Sequence, residues 1–123
     1  MIVHKMLVVD DEKDICEFVK MFFSERGYDV FAAYSGDEAL SLVKTNKPEL
    51  VLLDVKMKGM DGIATLKHIK EYDRNIKVMM VTALDDQERI DEASRLGACG
   101  YITKPLTLDS LEQAVEKNLA VQI

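Results

Sequence analysis

Residues 50–54 of this 123-residue chain read Leu-Val-Leu-Leu-Asp, an unbroken apolar run that ends in a carboxylate. Residues 78–81 read Val-Met-Met-Val, and the next residue is Thr82. Strands of a parallel sheet carry such runs without polar alternation because helices cover both faces of the sheet. The two runs therefore predict the buried centre of a parallel β-sheet, with a polar side chain at the end of each strand.

Short β-branched or aliphatic runs alternate with segments of helical period along the whole chain. The predicted strands are residues 5–9, 28–33, 50–53, 77–81 and 100–103. In the segments that follow each strand, apolar residues recur three or four positions apart, as they do on one face of an amphipathic helix. Ser35 and Glu38 form a capping box for the second helix, and Gly97 stands where the fourth should end. The pattern predicts a (βα)5 fold of the α/β class, a doubly wound, five-stranded parallel sheet with right-handed crossovers.

The charge balance and the lack of long apolar segments exclude several classes of protein. With 22 acidic and 16 basic side chains, the chain has a formal net charge of −6, which argues against DNA or RNA as a direct partner. The longest apolar runs are far shorter than the ~20 residues of a membrane span, and the N-terminus lacks a signal-peptide core. We therefore expect a cytoplasmic protein that makes no membrane contact. Cys16 and Cys99 fit no zinc motif, and we expect both to be buried thiols outside any disulfide.

Five polar residues stand at the predicted carboxyl ends of strands: Asp10, Asp11, Asp54, Thr82 and Lys104. Each has a structural explanation on its own, since acids stabilise a helix N-terminus, a hydroxyl caps a helix and a lysine is common in a solvated loop. In open α/β sheets, however, the functional crevice lies beyond the carboxyl ends of the strands. That edge would hold three carboxylates, a hydroxyl and an amine, which favours a shared chemical role.

These residue types suit phosphoryl transfer assisted by a divalent cation. Three carboxylates within a few ångströms repel one another, and a hard cation such as Mg²⁺, which prefers oxygen ligands, removes that cost. Asp54 can act as a carboxylate nucleophile toward phosphorus and form an acyl phosphate. Mg²⁺ and Lys104 would offset charge on the phosphoryl oxygens, and Thr82 would donate a hydrogen bond to one of them.

The order and spacing of five motifs resemble those of the response-regulator receiver family, over residues 5–119. The motifs are Leu7-Val8-Val9-Asp10-Asp11-Glu12, Leu52-Leu53-Asp54, Gly59-Met60-Asp61-Gly62, Val81-Thr82-Ala83, and Leu96-Gly97-Ala98 leading to Tyr101-Ile102-Thr103-Lys104-Pro105. The resemblance implies a flavodoxin-like sheet of order 2-1-3-4-5 and a cis peptide bond between Lys104 and Pro105. It also implies that a sensor histidine kinase or a phosphotransfer protein supplies the phosphoryl group in a two-component system or phosphorelay.

The same resemblance assigns roles to individual residues of the site. Asp54 would be the phosphoacceptor, and Mg²⁺ would be held by Asp10, Asp11, Asp54 and the backbone carbonyl of Lys56. The amides of Lys56 and Ala83 would contact the phosphoryl oxygens, together with the side chains of the threonine and the lysine described above.

Two further roles follow from the resemblance, one in switching and one in lifetime. Thr82 would move toward the phosphoryl group and Tyr101 would swing inward, which changes the surface of helix four, strand five and helix five. The side chains of Lys56 and Leu84 would flank the path of the water that hydrolyses the acyl phosphate. Because neither is a small polar residue, both should hinder this water and prolong the phosphorylated state relative to receivers that have small polar residues at these positions. Lys58 stands where the family commonly has proline, so the loop after the acceptor should be less rigid.

A true phosphatase is the main alternative. Haloacid-dehalogenase-like enzymes also use an aspartate nucleophile at a strand end, but they carry a second aspartate two residues later as general acid. Here that position is Lys56, and no cap domain is present, so the sequence argues against a phosphatase. A degenerate receiver that only binds other proteins is disfavoured by the intact set of strand-end residues. We therefore expect no enzyme in the usual sense, only a domain that catalyses its own phosphorylation and slow dephosphorylation.

Residues 1–123 are expected to form a single receiver domain without an output domain, because the sequence ends where the fifth helix should finish. A stand-alone regulator is favoured over a receiver excised from a longer protein, and either would act on a downstream protein target or output domain. Receivers that dimerise to bind DNA carry a run of arginines in the last helix and an acidic pair at the position of Cys99-Gly100. This chain lacks both features. We therefore expect a monomer or a weak dimer.

Overall fold

The computed structural model of the protein describes residues 3–57, 61–83 and 86–120. Within these residues, five strands alternate with five helices in chain order. They are β1 (Lys5–Val9), α1 (Lys13–Ser24), β2 (Asp29–Ala33), α2 (Gly36–Asn46), β3 (Leu50–Asp54), α3 (Gly62–Tyr72), β4 (Lys77–Thr82), α4 (Gln87–Arg95), β5 (Gly100–Thr103) and α5 (Leu108–Ala120). The strands form one parallel sheet of order β2-β1-β3-β4-β5, which confirms the predicted fold and sheet order.

The central strand β3 is buried along its whole length, as its unbroken apolar run predicts. Val51 and Leu53 pack into the core between the sheet and helices α2, α3 and α4, whereas Leu50 and Leu52 pack into the core on the side of α1 and α5. Successive side chains of a strand point to opposite faces, so an apolar residue at every position serves both layers. Each such buried side chain contributes about 1.5–3 kcal/mol relative to an exposed one.

Local sequence signals mark the start of α2 and the end of α4. The Ser35 hydroxyl accepts a hydrogen bond from the Glu38 amide at 3.2 Å, and the Glu38 carboxylate accepts one from the Tyr34 amide at 2.9 Å. These bonds satisfy amide groups that have no partner within the helix. Gly97, directly after the C-cap of α4, has φ of 101°, a left-handed conformation that costs glycine little. The Ser35 cap and the helix stop are therefore confirmed, whereas Glu38 reaches back to the amide one residue before the cap and not to that of Ser35.

Two strands extend one residue further than their apolar runs predict. Asp54 is the last residue of β3 and pairs with Val81, while Thr82 is the last residue of β4 and pairs with Thr103. The backbone ladder continues here because hydrogen bonding between parallel strands depends little on side-chain polarity. The functional side chains therefore sit on the last rung of the sheet and not in a loop after it.

The described part of the chain contains no helix that is both long enough and apolar enough to cross a membrane.

Candidate functional site

Three carboxylates meet at the carboxyl edge of the sheet. Asp10 and Asp11 directly follow β1, and Asp54 ends the neighbouring strand β3. One carboxylate oxygen from each of the three lies within 4.8 Å of the others. Asp10 and Asp54 are only 2% and 3% exposed, so both charged groups are almost removed from water. The structure thus brings together all three predicted metal-ligating side chains.

The amine predicted for this site belongs to Lys104, which directly follows the edge strand β5. The Lys104 ammonium lies 3.3 Å from each carboxylate oxygen of Asp54. The backbone positions this lysine, because the Lys104 amide donates a 2.8 Å hydrogen bond to the Thr82 carbonyl. The Lys104-Pro105 bond is cis, as the family resemblance implies. Lys104 and Asp54 form an ion pair in which the carboxylate is almost fully buried and the lysine is partly exposed.

Burial makes the negative charges of this cluster expensive. It raises the pKa of Asp10 to about 6, and the neighbouring Asp54 charge adds to that rise, while the Glu12 amide opposes it. Burial also raises the pKa of Asp54, although the Lys104 ammonium holds the pKa of that carboxyl down. A divalent cation would stabilise the charged forms of both groups, and an all-oxygen donor set suits a hard ion such as Mg²⁺. The residues present therefore fit a magnesium site.

Gly62, which the sequence shows only as the last residue of one family motif, packs closely against the end of the acceptor strand. Its amide donates a 3.0 Å hydrogen bond to the Val55 carbonyl. A Cβ atom at this position would lie 2.2 Å from the Asp54 carbonyl oxygen and 2.8 Å from the Val55 Cα. Only glycine lets the first turn of α3 approach the end of β3 so closely. The signal in the sequence was the glycine directly after Asp61, whose side chain caps α3.

The two cysteines differ in environment, which corrects one expectation. Cys16 is buried, and its thiol lies 3.4 Å from the Asp10 carbonyl oxygen, where it can donate a weak hydrogen bond. Burial, reinforced by the Asp10 charge, raises the pKa of Cys16 to about 12, so this thiol stays protonated. The expectation that Cys99 is buried was wrong, because its side chain is exposed beside the edge strand β5. Neither cysteine forms a disulfide, as expected.

The other predicted site residues that the structure describes differ in exposure and in their hydrogen bonds. Thr82 is only 1% exposed, and its hydroxyl lies 3.4 Å from the Ala83 carbonyl oxygen. The Lys56 side chain is exposed, and its amide donates a 3.3 Å hydrogen bond to Asp54 Oδ1. Tyr101 is 51% exposed and lies outside the carboxylate cluster. Leu84 lies outside the described residues, as do residues 58–60 of the loop after the acceptor strand.

Known protein families provide an independent comparison. Residues 6–116 match the family model described as the response regulator receiver domain. The chain belongs to this family. Receiver domains are signalling modules of two-component systems and phosphorelays and not classical enzymes.

Individual relatives agree with this assignment. The receiver is 41% identical over 118 residues to sporulation initiation phosphotransferase F of Bacillus subtilis, covering 96% of this chain and 95% of that protein. It is 44% identical over 115 residues to the transcriptional regulatory protein ZraR of Salmonella typhimurium, covering 94% of this chain. There it spans only 26% of the relative, about a quarter of that protein's length.

Solved structures agree with the receiver fold. The chemotaxis protein CheY4 of Vibrio cholerae superposes with a TM-score of 0.91 at 27% identity, covering 96% of this chain and 100% of that one. NtrX of Brucella abortus also gives 0.91, at 34% identity, and there the match covers 98% of this chain and 27% of the other. Proteins of this family generally bind Mg²⁺ in an acidic pocket and interact with histidine kinases or phosphotransfer proteins and with output domains.

Proposed function

We propose that this receiver domain accepts a phosphoryl group on Asp54. The observation that carries the proposal is that the buried carboxylate of Asp54 lies beside an ammonium group and also belongs to a carboxylate cluster that can hold a cation. Asp54 has the Lys104 ammonium 3.3 Å away and lies within the cluster that includes Asp10 and Asp11. Of these carboxylates, Asp54 ends the central strand β3 and accepts a hydrogen bond from the Lys56 amide, and Thr82 ends the neighbouring strand β4.

The proposed reaction is an in-line displacement at phosphorus. A carboxylate oxygen of Asp54 forms a bond to phosphorus while the bond from phosphorus to the donor histidine nitrogen breaks, and that nitrogen keeps the electron pair. Lys104 pairs with the phosphoryl oxygens, and Thr82 and the amides of Lys56 and Ala83 donate hydrogen bonds to them. The domain would therefore catalyse its own phosphorylation and slow dephosphorylation, without acting as an enzyme on other substrates.

We assign the metal of this site as Mg²⁺, held by Asp10, Asp11, Asp54 and the backbone carbonyl of Lys56. The clustered carboxylates and the raised pKa of Asp10 support this assignment, because both indicate a site that is stabilised by a cation. When bound, Mg²⁺ would offset the negative charge of the carboxylates and of the incoming phosphoryl oxygens.

An apolar groove beside the site fits a protein donor. It has a volume of about 610 Å³ and is lined by Asp14, Ile15, Phe18, Lys104, Pro105 and Leu106. Phe18 is a large exposed apolar side chain there, which is typical of a protein interaction surface. We propose that a histidine kinase or phosphotransfer protein of the cytoplasm docks in this groove, which brings its histidine toward Asp54. Residues 1–123 would act as a single receiver domain, a monomer or weak dimer that signals to a downstream protein target or output domain.

Peptide mapping tests the acceptor directly. The protein is incubated with a small acyl phosphate and Mg²⁺, digested, and the modified peptide is identified by mass spectrometry. The label should lie on the peptide that contains Asp54 and should require Mg²⁺. Label on the peptide that contains Asp10 and Asp11, or label that forms equally well with a chelator present, would contradict the proposal.

Substitution of Gly62 by alanine should displace the acceptor. The new Cβ would lie 2.2 Å from the Asp54 carbonyl oxygen, a backbone atom that cannot rotate away. We expect a loss of about 1–3 kcal/mol in the free energy of unfolding, as for other overpacked sites, and slower phosphorylation of the folded fraction. Chemical denaturation and an initial-rate labelling assay measure the two effects.

Gly100→Ala is the matched control for this substitution, because a Cβ there would meet only the flexible Met79 Cε at 3.7 Å. Its labelling rate should equal that of the wild type. If Gly62→Ala also labels at the wild-type rate, the close contact does not position Asp54.

Phosphorylation should change the surface formed by α4, β5 and α5, with Tyr101 at its centre. Thr82 ends β4 and Lys104 directly follows β5, so their movement toward the phosphoryl oxygens would bias the packing of this surface. A cavity of about 240 Å³ between α4 and β5, bordered by Tyr101, offers space for the ring to turn inward. NMR shift changes should concentrate in these elements and leave Tyr72, an exposed tyrosine of α3, unchanged. Shifts limited to the loop after Asp54 would contradict the switch.

The phosphorylated state should last longer than in receivers with small polar residues at positions 56 and 84. Leu84 offers no hydrogen bond to orient a water, and the long Lys56 side chain can cover the approach to phosphorus. Lys56→Asn should therefore lose its phosphoryl group several-fold faster than the wild type at saturating Mg²⁺. Lys67→Asn, an exposed lysine elsewhere, should decay at the wild-type rate. Equal or slower decay in Lys56→Asn would show that Lys56 provides no shielding.

A further inference from the structure

A groove rich in basic side chains lies between the C-terminal ends of α3 and α4. Its volume is about 500 Å³, and its lining consists of Lys67, Lys70, Glu71, Arg74, Arg95, Leu96 and Gly97. We call it the basic groove. It contains four of the chain's 16 basic residues but only one of its 22 acidic residues. The rest of the protein is therefore strongly acidic, and this groove is a local exception.

Three cations of the basic groove remain available to a ligand. The Lys70 ammonium is already engaged, since it donates hydrogen bonds to the carbonyls of Arg74 at 3.2 Å and Ile76 at 2.5 Å. Lys67, Arg74 and Arg95 are exposed, and none of them forms an ion pair with a carboxylate in the part of the chain that the structure describes. These three basic side chains therefore do not serve to pair with acidic side chains of the described part of the protein.

We propose that the basic groove binds an acidic segment of a partner protein. Carboxylates of the segment would pair with Lys67, Arg74 and Arg95, and an apolar side chain of the segment would pack on Leu96. The inference goes beyond phosphoryl transfer and does not depend on it, because the groove residues are distinct from those of the carboxylate cluster.

The charges around the basic groove favour an extended acidic peptide over other anions. Both helices end here, so their last carbonyl groups carry partial negative charge, which repels the concentrated charge of a phosphate ion more strongly than single carboxylates spread along a chain. Cations on two different helices suit carboxylates that are spread along a chain. A nucleic acid would extend beyond the groove onto a protein of net charge −6, which would repel its backbone.

Fluorescence anisotropy tests the proposal with the unphosphorylated protein. The probe is a short fluorescein-labelled peptide of glutamates around one central leucine, titrated at an ionic strength of about 0.1 M, where charges more than about 10 Å apart are largely screened. In the variant Lys67→Glu/Arg74→Glu/Arg95→Glu the affinity should fall by about tenfold or more, the loss expected for three exposed ion pairs. Lys70 is left intact because it holds the backbone after α3.

A matched control separates the groove from net charge. Lys20→Glu/Lys44→Glu/Lys117→Glu makes the same change in total charge at exposed positions of α1, α2 and α5, and it should keep an affinity within about twofold of the wild type, since distant exposed charges are largely screened. The neutral variant Lys67→Gln/Arg74→Gln/Arg95→Gln serves if the charge-reversed protein does not fold.

Each other outcome would overturn the proposal. Equal losses in the groove and control variants would show an effect of net charge alone, and no binding to the wild type would show that the groove does not take acidic segments. Tighter binding of inorganic phosphate or of duplex DNA than of the peptide, lost in the same groove variant, would assign the site to another class of ligand.

Discussion

Asp54→Asn should abolish labelling by an acyl phosphate, to the background of the assay. The substitution keeps the size of the side chain and an oxygen that can accept the Lys56 amide, a bond of 3.3 Å in the wild type. It removes the negative charge that attacks phosphorus and pairs with Lys104. Because the Asp54 charge also contributes to the raised pKa of Asp10, the variant should hold that pKa closer to its ordinary value.

Asp61→Asn is the matched control for the loss of the acceptor. Asp61 follows Asp54 by seven positions in the sequence and caps α3 by accepting a 2.8 Å hydrogen bond from the Ile63 amide. Asparagine caps helices about as well as aspartate, so this variant should fold and label like the wild type. Persistent labelling in Asp54→Asn, or equal loss in both variants, would show that another residue accepts the phosphoryl group.

The sheet and the carboxylate cluster could be predicted because their signals are local. The apolar run at residues 50–53 identifies a strand buried on both faces, and parallel strands bring their carboxyl ends to one edge. That rule alone places Asp10 and Asp54 together, and the structure shows both in one cluster. The last rung of β3 was missed by one residue, because the ladder depends on backbone pairing with β4 and not on side-chain polarity.

The features that escaped prediction depend on contacts between distant segments. The need for glycine at position 62 arises from the approach of α3 to the end of β3, which no local pattern encodes. The basic groove shows the same limit, since Lys67 and Lys70 lie on α3 and Arg74 follows it closely in sequence, but Arg95 joins them only through the packing of α4. Burial frequencies predicted a buried Cys99, yet the side chain lies on the exposed side of its segment.

Asp10→Asn should stabilise the protein in the absence of divalent cations, although it damages the proposed metal site. Burial raises the pKa of Asp10 from 3.8 to about 6. Between these two pH values the folded protein holds a proton that the unfolded chain has lost, so wild-type stability falls as pH rises through this window and levels off above it. Two pKa units correspond to about 3 kcal/mol, an upper bound for the gain in the free energy of unfolding above pH 7.

Asparagine removes this cost while keeping the local contacts. Its side-chain oxygen can still accept the Glu12 amide, a 2.9 Å bond in the wild type, and its amide group can face the Asp54 carboxylate. At pH 7.5 with a chelator, we expect a rise in melting temperature of roughly 10 °C. At pH 4 the two proteins should melt at nearly the same temperature, because wild-type Asp10 is then largely protonated when folded.

Added Mg²⁺ should reverse the order of the two proteins. A cation that binds only the folded state stabilises it in proportion to the logarithm of its concentration relative to the dissociation constant, and the variant has lost one charged ligand. The wild-type melting temperature should therefore rise with Mg²⁺ at pH 7.5, and this rise should shrink below pH 6 as protons compete for Asp10. Equal responses of the wild type and of Asp10→Asn and Asp11→Ala would place the cation elsewhere. A less stable Asp10→Asn protein in chelator would show that burial of this carboxylate carries no cost.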